Sequence, residues 1–320
     1  MAAGRTALVE HGFGADVMTA TPLPLRFQLG ARTLMAVQRQ LVRVPLSLEE
    51  AMEGRLPVLP PLDRTAHGYA ITSLPADRRD AMAFAGGGMI AFVRQHYTRH
   101  FIDLTTGFEA YEASLSANTR SAMRRKARKV TTVSGGTLDV RRFRTPDELT
   151  EFHDTARRIS LRTYQERLLG SGLPDDEAFL RQMYSAAAAG SVRAWLLYVA
   201  GEPAAFLYLT VRAGTVRYDH VGHDPAFNDL SPGGVLQMEA LRDLFAEGNL
   251  TRFDFTEGDG QHKRQFATGG VACIDMLLLR ASLVNRLTTV ALGTFDRSMA
   301  LGKRATNRLG LQKVARRLRR

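Results

Sequence analysis

Apolar runs alternate with helical stretches along most of the chain, and this pattern predicts a mixed α/β fold. In the first part of the chain, strand-like runs occupy 34–44, 68–74 and 89–104, and a proline-rich stretch at 56–63 is typical of a linker. From 108 to 130 the apolar residues recur at helical spacing, so we expect one continuous helix there.

The second half of the chain predicts a longer series of elements. Proline and acidic residues begin a helix at Pro146, as they favour a first turn, and a second helix follows Pro174. Two apolar runs meet at Gly201, which predicts an antiparallel hairpin. The predicted strands of this half are 137–143, 192–200, 203–211, 215–222 and 251–255.

The sequence Ser231-Pro232-Gly233-Gly234 lies directly before a helical pattern that starts at Val235 and ends at Gly248. A strand precedes this unit and another follows it. A helix N-terminus fed by a glycine-rich loop offers unpaired N–H groups and a positive dipole end to a phosphate. We therefore predict that the backbone amides of Ser231 to Val235 bind phosphate. We expect the Ser231 side chain to cap the helix and Pro232 to occupy its first turn.

The net charge of +11 is concentrated in two segments. Residues Arg297 to Arg320 contain nine Lys and Arg and no acid, and the helix predicted at 108–130 contains six more between Arg120 and Lys129. The positive charge of these two segments exceeds the net charge of the whole chain, so the rest of the chain is acidic overall. Such segments indicate an anionic partner: a phosphate-bearing cofactor, RNA, anionic lipid or a polyanionic polymer.

Cysteine usage and hydropathy limit the classes of protein that fit. The single cysteine, Cys273, excludes a disulfide within the chain and a cysteine-rich zinc site. No secretory signal is recognisable, and the most apolar region, 186–211, is interrupted by charged residues, glycines and a proline. We expect a cytoplasmic protein. Peripheral attachment to the inner face of the membrane stays open as an addition to this expectation.

Four motifs occur in order over about half of the chain. They are SLSANTRSAMRRKARK (Ser114 to Lys129), VRAWLLYVAGEPAAF (Val192 to Phe206), DPAFNDLSPGGVL (Asp224 to Leu236) and FDFTEGDGQHKRQF (Phe253 to Phe266). In this series the chain resembles the FemAB/CelD-like branch of the GNAT acyltransferase superfamily. It departs from that branch at His262, where the relatives have tyrosine, and at Gly260, where they have an acidic residue.

The resemblance implies a GNAT fold, a mixed and mostly antiparallel sheet flanked by helices, preceded by a shortened GNAT-like half. The expected boundaries are 1–105 for that half, 106–280 for the acyltransferase domain, and 281–320 for a C-terminal helix and basic tail. The resemblance also implies that two neighbouring strands, 215–222 and 251–255, splay apart. In the cleft between them a strand N–H polarises the thioester carbonyl, while the diphosphate of CoA binds at Ser231, Pro232, Gly233, Gly234 and Val235.

The resemblance implies transfer of an acyl group from acyl-CoA to an amine or hydroxyl. We expect this acyl group to be acetyl. The acceptor we expect is an amino sugar of an exopolysaccharide or a lipid-linked cell-envelope precursor. Two other classes stay open. One is an aminoacyl-tRNA-dependent transferase of the peptidoglycan type, ranked low because the chain has no room for an inserted helical arm. The other is an inactive GNAT fold that binds a polyanion.

The reaction needs a group that accepts the acceptor's proton. The candidates are Asp219, His220, His223, Asp224, Asp254, Glu257 and Asp259. Our catalytic set is Asp254, His220, His223 and Asp224, with Lys263 added because it occupies the family's lysine position. Each has an ordinary alternative: a backbone hydrogen bond for Asp254, a structural ion pair for Lys263, and hydrogen-bonded structural histidines.

Two further assignments concern metal ions and the tail. The HxxHD spacing from His220 is not a dependable zinc pattern, so no metal is predicted. The tail, Arg297 to Arg320, has roughly helical apolar spacing among its arginines. It fits a helix on an anionic membrane surface, an arginine site for an anionic nucleotide, or a solubilising segment.

Overall fold

The computed structural model describes residues 20–29, 32–163, 172–258 and 260–308. The strands are β1 (Thr21–Leu29), β2 (Arg32–Pro45), β3 (Gly68–Pro75), β4 (Ile90–Asp103), β5 (Asp139–Phe143), β6 (Val192–Val199), β7 (Glu202–Arg212), β8 (Thr215–His223), β9 (Arg252–Asp254) and β10 (Gly269–Leu279). The α-helices are α1 (Leu48–Met52), α2 (Arg79–Ala85), α3 (Phe108–Ser114), α4 (Ala117–Val133), α5 (Pro146–Arg162), α6 (Glu177–Ala188), α7 (Pro232–Ala246), α8 (Gln261–Phe266) and α9 (Leu283–Arg308).

The chain divides into two compact units. The first comprises 1–96 and 274–320, and the second comprises 97–273. Most strand pairs are antiparallel, and β2 with β3 and β8 with β9 are parallel pairs. The fold class is the predicted one, a mixed and mostly antiparallel sheet with flanking helices.

In the first unit the strand order is β1-β2-β3-β10-β4. Because neighbouring residues of a strand point to opposite faces, two separate apolar clusters form. One contains Val42 and Ile71 and includes Met82 of α2. The other contains Leu41 and packs against Leu292 of α9. Helices α2 and α9 therefore cover opposite faces of these strands.

In the second unit the order is β10-β4-β9-β8-β7-β6-β5. Trp195 of β6 belongs to the cluster on the face of α4 and α7, and Leu196 belongs to the cluster of α5 and α6. Helix α5 begins as the sequence predicts, with Pro146 in its first turn and a reciprocal capping box between Thr145 and Glu148. The predicted hairpin of β6 and β7 is confirmed.

The predicted single helix over 108–130 is wrong, because the segment forms two helices, α3 and α4. Leu115 has an extended backbone conformation that ends α3. The Ser116 side chain then accepts a hydrogen bond from the Thr119 amide and starts α4. The break lets the basic helix α4 take its own direction.

The basic tail begins inside a helix, since α9 continues past Arg297 to Arg308. The rest of the predicted tail, 309–320, lies outside the described residues. Among the helices of the described segments, none has the length and hydropathy needed to cross a bilayer.

Candidate functional site

The pairing of β8 with β9 ends part-way along β8, and we call the gap beyond that point the cleft. Residues 215–217 pair in parallel with 252–254, where β9 ends. Beyond that point β8 continues to His223 with β7 as its partner. An edge that leaves a ladder presents N–H and C=O groups to whatever enters the gap. The splayed pair expected from the sequence is therefore present.

A bulge lies in β8 where the two strands part. Tyr208 of β7 pairs with His220 and Leu209 pairs with Tyr218, so Asp219 is an extra residue without a strand partner. Its carboxylate accepts hydrogen bonds from the Thr210 amide at 3.0 Å and the Thr210 hydroxyl at 2.6 Å. Burial raises the pKa of Asp219, although Thr210 and the nearby guanidinium of Arg217 oppose this effect.

Helix α7 begins beside this cleft and has an uncapped first turn. Ser231 is in the left-handed conformation (φ 52°, ψ 52°) and its side chain makes no capping hydrogen bond. The predicted side-chain cap is therefore wrong. The Ser231 carbonyl instead accepts the amides of Gly234 and Val235 at 3.2 and 3.4 Å. Pro232 occupies the first turn, as predicted.

Neither the backbone conformation nor the packing of this turn requires glycine at its two glycine positions. Gly233 and Gly234 do not have a positive φ. A Cβ at Gly233 would lie 3.7 Å from Nδ1 of His223, and one at Gly234 would lie 3.8 Å from Sδ of Met123, both ordinary contacts. Two adjacent glycines at a helix start lower helix stability, so their place here favours close approach of a ligand to the backbone.

The basic helix α4 packs against this turn. The ammonium of Lys129 donates to the Asp229 carbonyl at 3.0 Å, two residues before Ser231. Met123 of α4 lies beside Gly234, because a Cβ at Gly234 would lie 3.8 Å from its Sδ. The positive charge of α4 therefore lies near the N-terminus of α7, where it reinforces the attraction for an anion.

Comparison with known proteins identifies the domain that carries this cleft. The family model described as an acetyltransferase (GNAT) domain matches residues 117–264. Residues 117–264 therefore form a GNAT domain. No curated protein matches the sequence.

Several solved structures are similar to the chain at low sequence identity. The crystal structure of FemX has a TM-score of 0.50 and 12% identity, over 85% of this chain and 91% of that chain. The C-terminal domain of a putative lysylphosphatidylglycerol synthetase from Agrobacterium fabrum has a TM-score of 0.48 and 13% identity, over 71% of each chain. A tandem GNAT protein from the clavulanic acid biosynthesis pathway has a TM-score of 0.40 and 15% identity, over 67% of this chain and 64% of that chain.

Within the GNAT domain, Asp254 belongs to a buried ion pair. It is 2% exposed, and the rings of its neighbours Phe253 and Phe255 lie 5.0 Å apart. The guanidinium of Arg99 donates from Nε at 3.1 Å and from Nη2 at 2.6 Å, and the Thr256 amide donates at 2.9 Å. These contacts hold the start of the loop that follows β9, which favours a structural role for Asp254.

Lys263 fixes the same loop from the other side. Its ammonium donates to the carbonyl of Glu257 at 2.6 Å and to that of Gly258 at 3.3 Å. Asp259 lies outside the described residues. Partial burial together with the Lys263 charge lowers the pKa of the neighbouring His262. Lys263 thus fixes the loop that precedes His262.

Asp224 and His223 lie at the end of β8, close to α7. Asp224 is 4% exposed, pairs with Arg162 at 2.6 Å and accepts the Ala226 amide at 2.9 Å, so it caps the 3₁₀ helix Pro225–Leu230. Burial raises its pKa, but these two partners outweigh burial and lower it overall. His223 is exposed and its Nε2 lies 2.8 Å from Asn228 Oδ1. Of the two, His223 is the group that faces Gly233.

His220 lies on the face of β8 that points toward α5 and α6. Its ring packs edge-on against Phe179 at 5.4 Å and lies 6.0 Å from Tyr208. Burial, with a smaller contribution from the charge of Arg217, lowers the pKa of His220 to about 4. A neutral imidazole therefore lines a cavity of about 140 Å³ that Asp219 also lines.

Tyr218 is a residue of the cleft that the sequence reasoning missed. Its ring lies 5.6 Å from Phe253 and 6.4 Å from His262, at the point where β8 leaves β9. Burial raises its pKa, so the phenol stays protonated at neutral pH. The only available signal was its position in the TVRYDHVG strand, since a lone tyrosine in an apolar strand is typical of a core.

The described residues contain no group of three or more His, Cys, Asp and Glu side chains placed to hold a metal ion. The predicted candidates also do not form one cluster. His223 lies beside α7, His220 lies with Asp219 on the opposite face, and Asp254 and Lys263 lie at the loop after β9. The strand and loop order thus distributes them around the cleft.

Proposed function

We propose that the GNAT domain transfers an acyl group, acetyl in the first instance, from acyl-CoA to an amine or hydroxyl. The observation that carries the proposal is the first turn of α7. Gly233 and Gly234 are required neither by backbone conformation nor by packing, and they lie at a helix N-terminus beside the opening between two strands. This arrangement suits a ligand whose diphosphate contacts the backbone closely.

In this proposal the residues from Ser231 to Val235 hold the diphosphate of CoA. Bound acyl-CoA supplies an activated acyl group as a thioester. The pantetheine arm separates that thioester from the diphosphate, so the reacting centre lies away from α7. Along β8, Asp219 is four residues from His223, or about 13 Å at the usual strand rise. The bulge is therefore a suitable position for the groups that handle the acceptor.

We assign acceptance of the acceptor's proton to Asp219, with the neutral His220 orienting the nucleophile. The carboxylate is fixed by Thr210, and burial raises its pKa toward the working range of a general base. Asp254 and Asp224 are less suitable because each accepts a guanidinium hydrogen bond at 2.6 Å, whereas the guanidinium of Arg217 lies farther from Asp219, at 3.2 Å. Asp219→Asn is expected to lower kcat at least a hundredfold with little change in acyl-CoA affinity. Equal losses in kcat and in affinity would contradict this role.

For the acceptor we propose an amino sugar of an exopolysaccharide or a cell-envelope precursor, lipid-linked in the latter case. The FemX-like fold supports a transferase, and the resemblance of the four motifs supports this acceptor class. A protein acting on such precursors would work in the cytoplasm, at the inner face of the membrane.

The first test is calorimetric titration of the full chain with acetyl-CoA and with longer acyl-CoAs. Binding, followed by thiol release when glucosamine is added, supports the proposal. Two outcomes overturn it. Acyl transfer from aminoacyl-tRNA without acyl-CoA binding indicates the peptidoglycan-type reaction, and absence of both indicates an inactive binding module.

A further inference from the structure

At its start, helix α9 buries polar side chains against the sheet. Asn285 and Thr288 are buried at 3% and 8% exposure. Both are held by Arg39 of β2, which donates to Asn285 Oδ1 at 3.1 Å and to Thr288 Oγ1 at 2.6 Å. An amphipathic helix of a globular domain ordinarily buries its apolar side instead.

The opposite side of α9 is apolar and exposed. Leu283, Val284, Leu287 and Val290 lie on it, with exposed fractions of 73, 61, 62 and 65%. Leu301 continues the same side, with 63% exposed. The spacing of 283, 287 and 290 places their side chains in one row along the helix. We call these five residues the outer stripe.

The helix is fixed in this orientation by contacts along its length. Leu292 is fully buried against the sheet, and the rings of Phe27 and Phe295 meet edge to face at 5.4 Å. Arg94 pairs with Asp296 at 3.3 Å. Rotation of α9 to bury the outer stripe would break these contacts, so the stripe is available to something outside the unit.

The charges around the outer stripe indicate what covers it. Arg286 and Arg297 are exposed on the same helix, and nine Lys and Arg without an acid occur from Arg297 to Arg320. A second copy seated on the stripe would bring two sets of these exposed arginines together, and their repulsion opposes that pairing. An anionic bilayer attracts the basic residues and accepts the apolar side chains at the same place.

We propose that α9 lies in the headgroup region of an anionic membrane, with the outer stripe inserted and the basic residues beside it on lipid phosphates. This proposal goes beyond acyl transfer and does not depend on it. Insertion and charge act together, which is the combination that stable attachment of a peripheral protein requires.

The test is sedimentation of the full chain with vesicles of phosphatidylcholine mixed with phosphatidylglycerol. The double variant Leu287→Asn and Val290→Asn is expected to weaken partitioning on the order of twentyfold, because two inserted side chains are lost. Phe84→Asn is the matched control, since Phe84 is 90% exposed in α2, outside the stripe. It is expected to partition like the wild type.

Thermal unfolding of each variant checks the fold, and Leu283→Asn offers a second, single change at the start of α9. Partitioning of both stripe variants at the wild-type level would overturn the proposal. So would a dimer in sedimentation equilibrium that the double variant dissociates while lipid partitioning is unchanged, because the stripe would then be a contact between copies.

Discussion

The imidazole of His220 binds protons differently in the folded and the unfolded chain. Burial beside Phe179 and Tyr208, with a smaller effect of Arg217, lowers its pKa from 6.5 to about 4. Between these values the unfolded chain binds a proton that the folded chain does not, so the free energy of unfolding falls as the pH falls. The linkage relation gives a loss of about 2 kcal/mol between pH 7 and pH 5.

His220→Phe removes this titration while keeping a ring between the two aromatic neighbours. We expect the wild type to lose about 2 kcal/mol more than the variant between pH 7 and pH 5. Urea unfolding at the two pH values measures this difference. A packing change caused by phenylalanine contributes at both pH values and cancels. If the variant loses as much stability on acidification as the wild type, the neutral buried state of His220 is refuted.

Two further predictions concern packing and charge near the cleft. Gly222→Ala is expected to lower the free energy of unfolding by about 1–3 kcal/mol, because a Cβ there would lie 2.4 Å from Cε1 of Phe206; an unchanged urea midpoint would contradict this. Asp254→Ala is expected to cost about 3–5 kcal/mol, since it leaves the buried guanidinium of Arg99 without its carboxylate. Arg181→Ala, which removes an exposed ion pair, is the control and should cost less than about 1 kcal/mol; equal losses would refute the argument.

The sequence predicts the order of elements around the cleft because its signals there are local. Pro146, Gly201 and Gly248 mark a helix start, a hairpin and a helix end, and each functions as its residue type suggests. Strand alternation predicts that Asp254 lies opposite its two phenylalanine neighbours; their rings lie 5.0 Å apart, and Asp254 pairs with Arg99. The splay of β8 from β9 followed from the family resemblance and is also present.

What the sequence did not predict depends on contacts distant in the chain. The partner of Asp254 is Arg99, 155 residues earlier, and no local pattern connects them. The apolar side of α9 points outward while Arg39 of β2 binds Asn285 and Thr288 at the start of the helix. Serine is a residue type that favours helix N-caps. Ser231 has a left-handed backbone conformation instead, and its carbonyl, not its side chain, accepts amides of the first turn.

The central claim is that the first turn of α7 holds the donor's diphosphate, and Gly233→Ala tests it most directly. A Cβ at Gly233 meets no atom closer than 3.7 Å, so the variant is expected to fold with equal stability or up to about 1 kcal/mol more. Gly293→Ala, in the interior of α9, is the matched control outside the site. Calorimetry with acetyl-CoA should show affinity reduced about tenfold or more for Gly233→Ala and unchanged for Gly293→Ala, because only the first adds an atom where the phosphates approach the backbone. Wild-type affinity in Gly233→Ala would contradict the account.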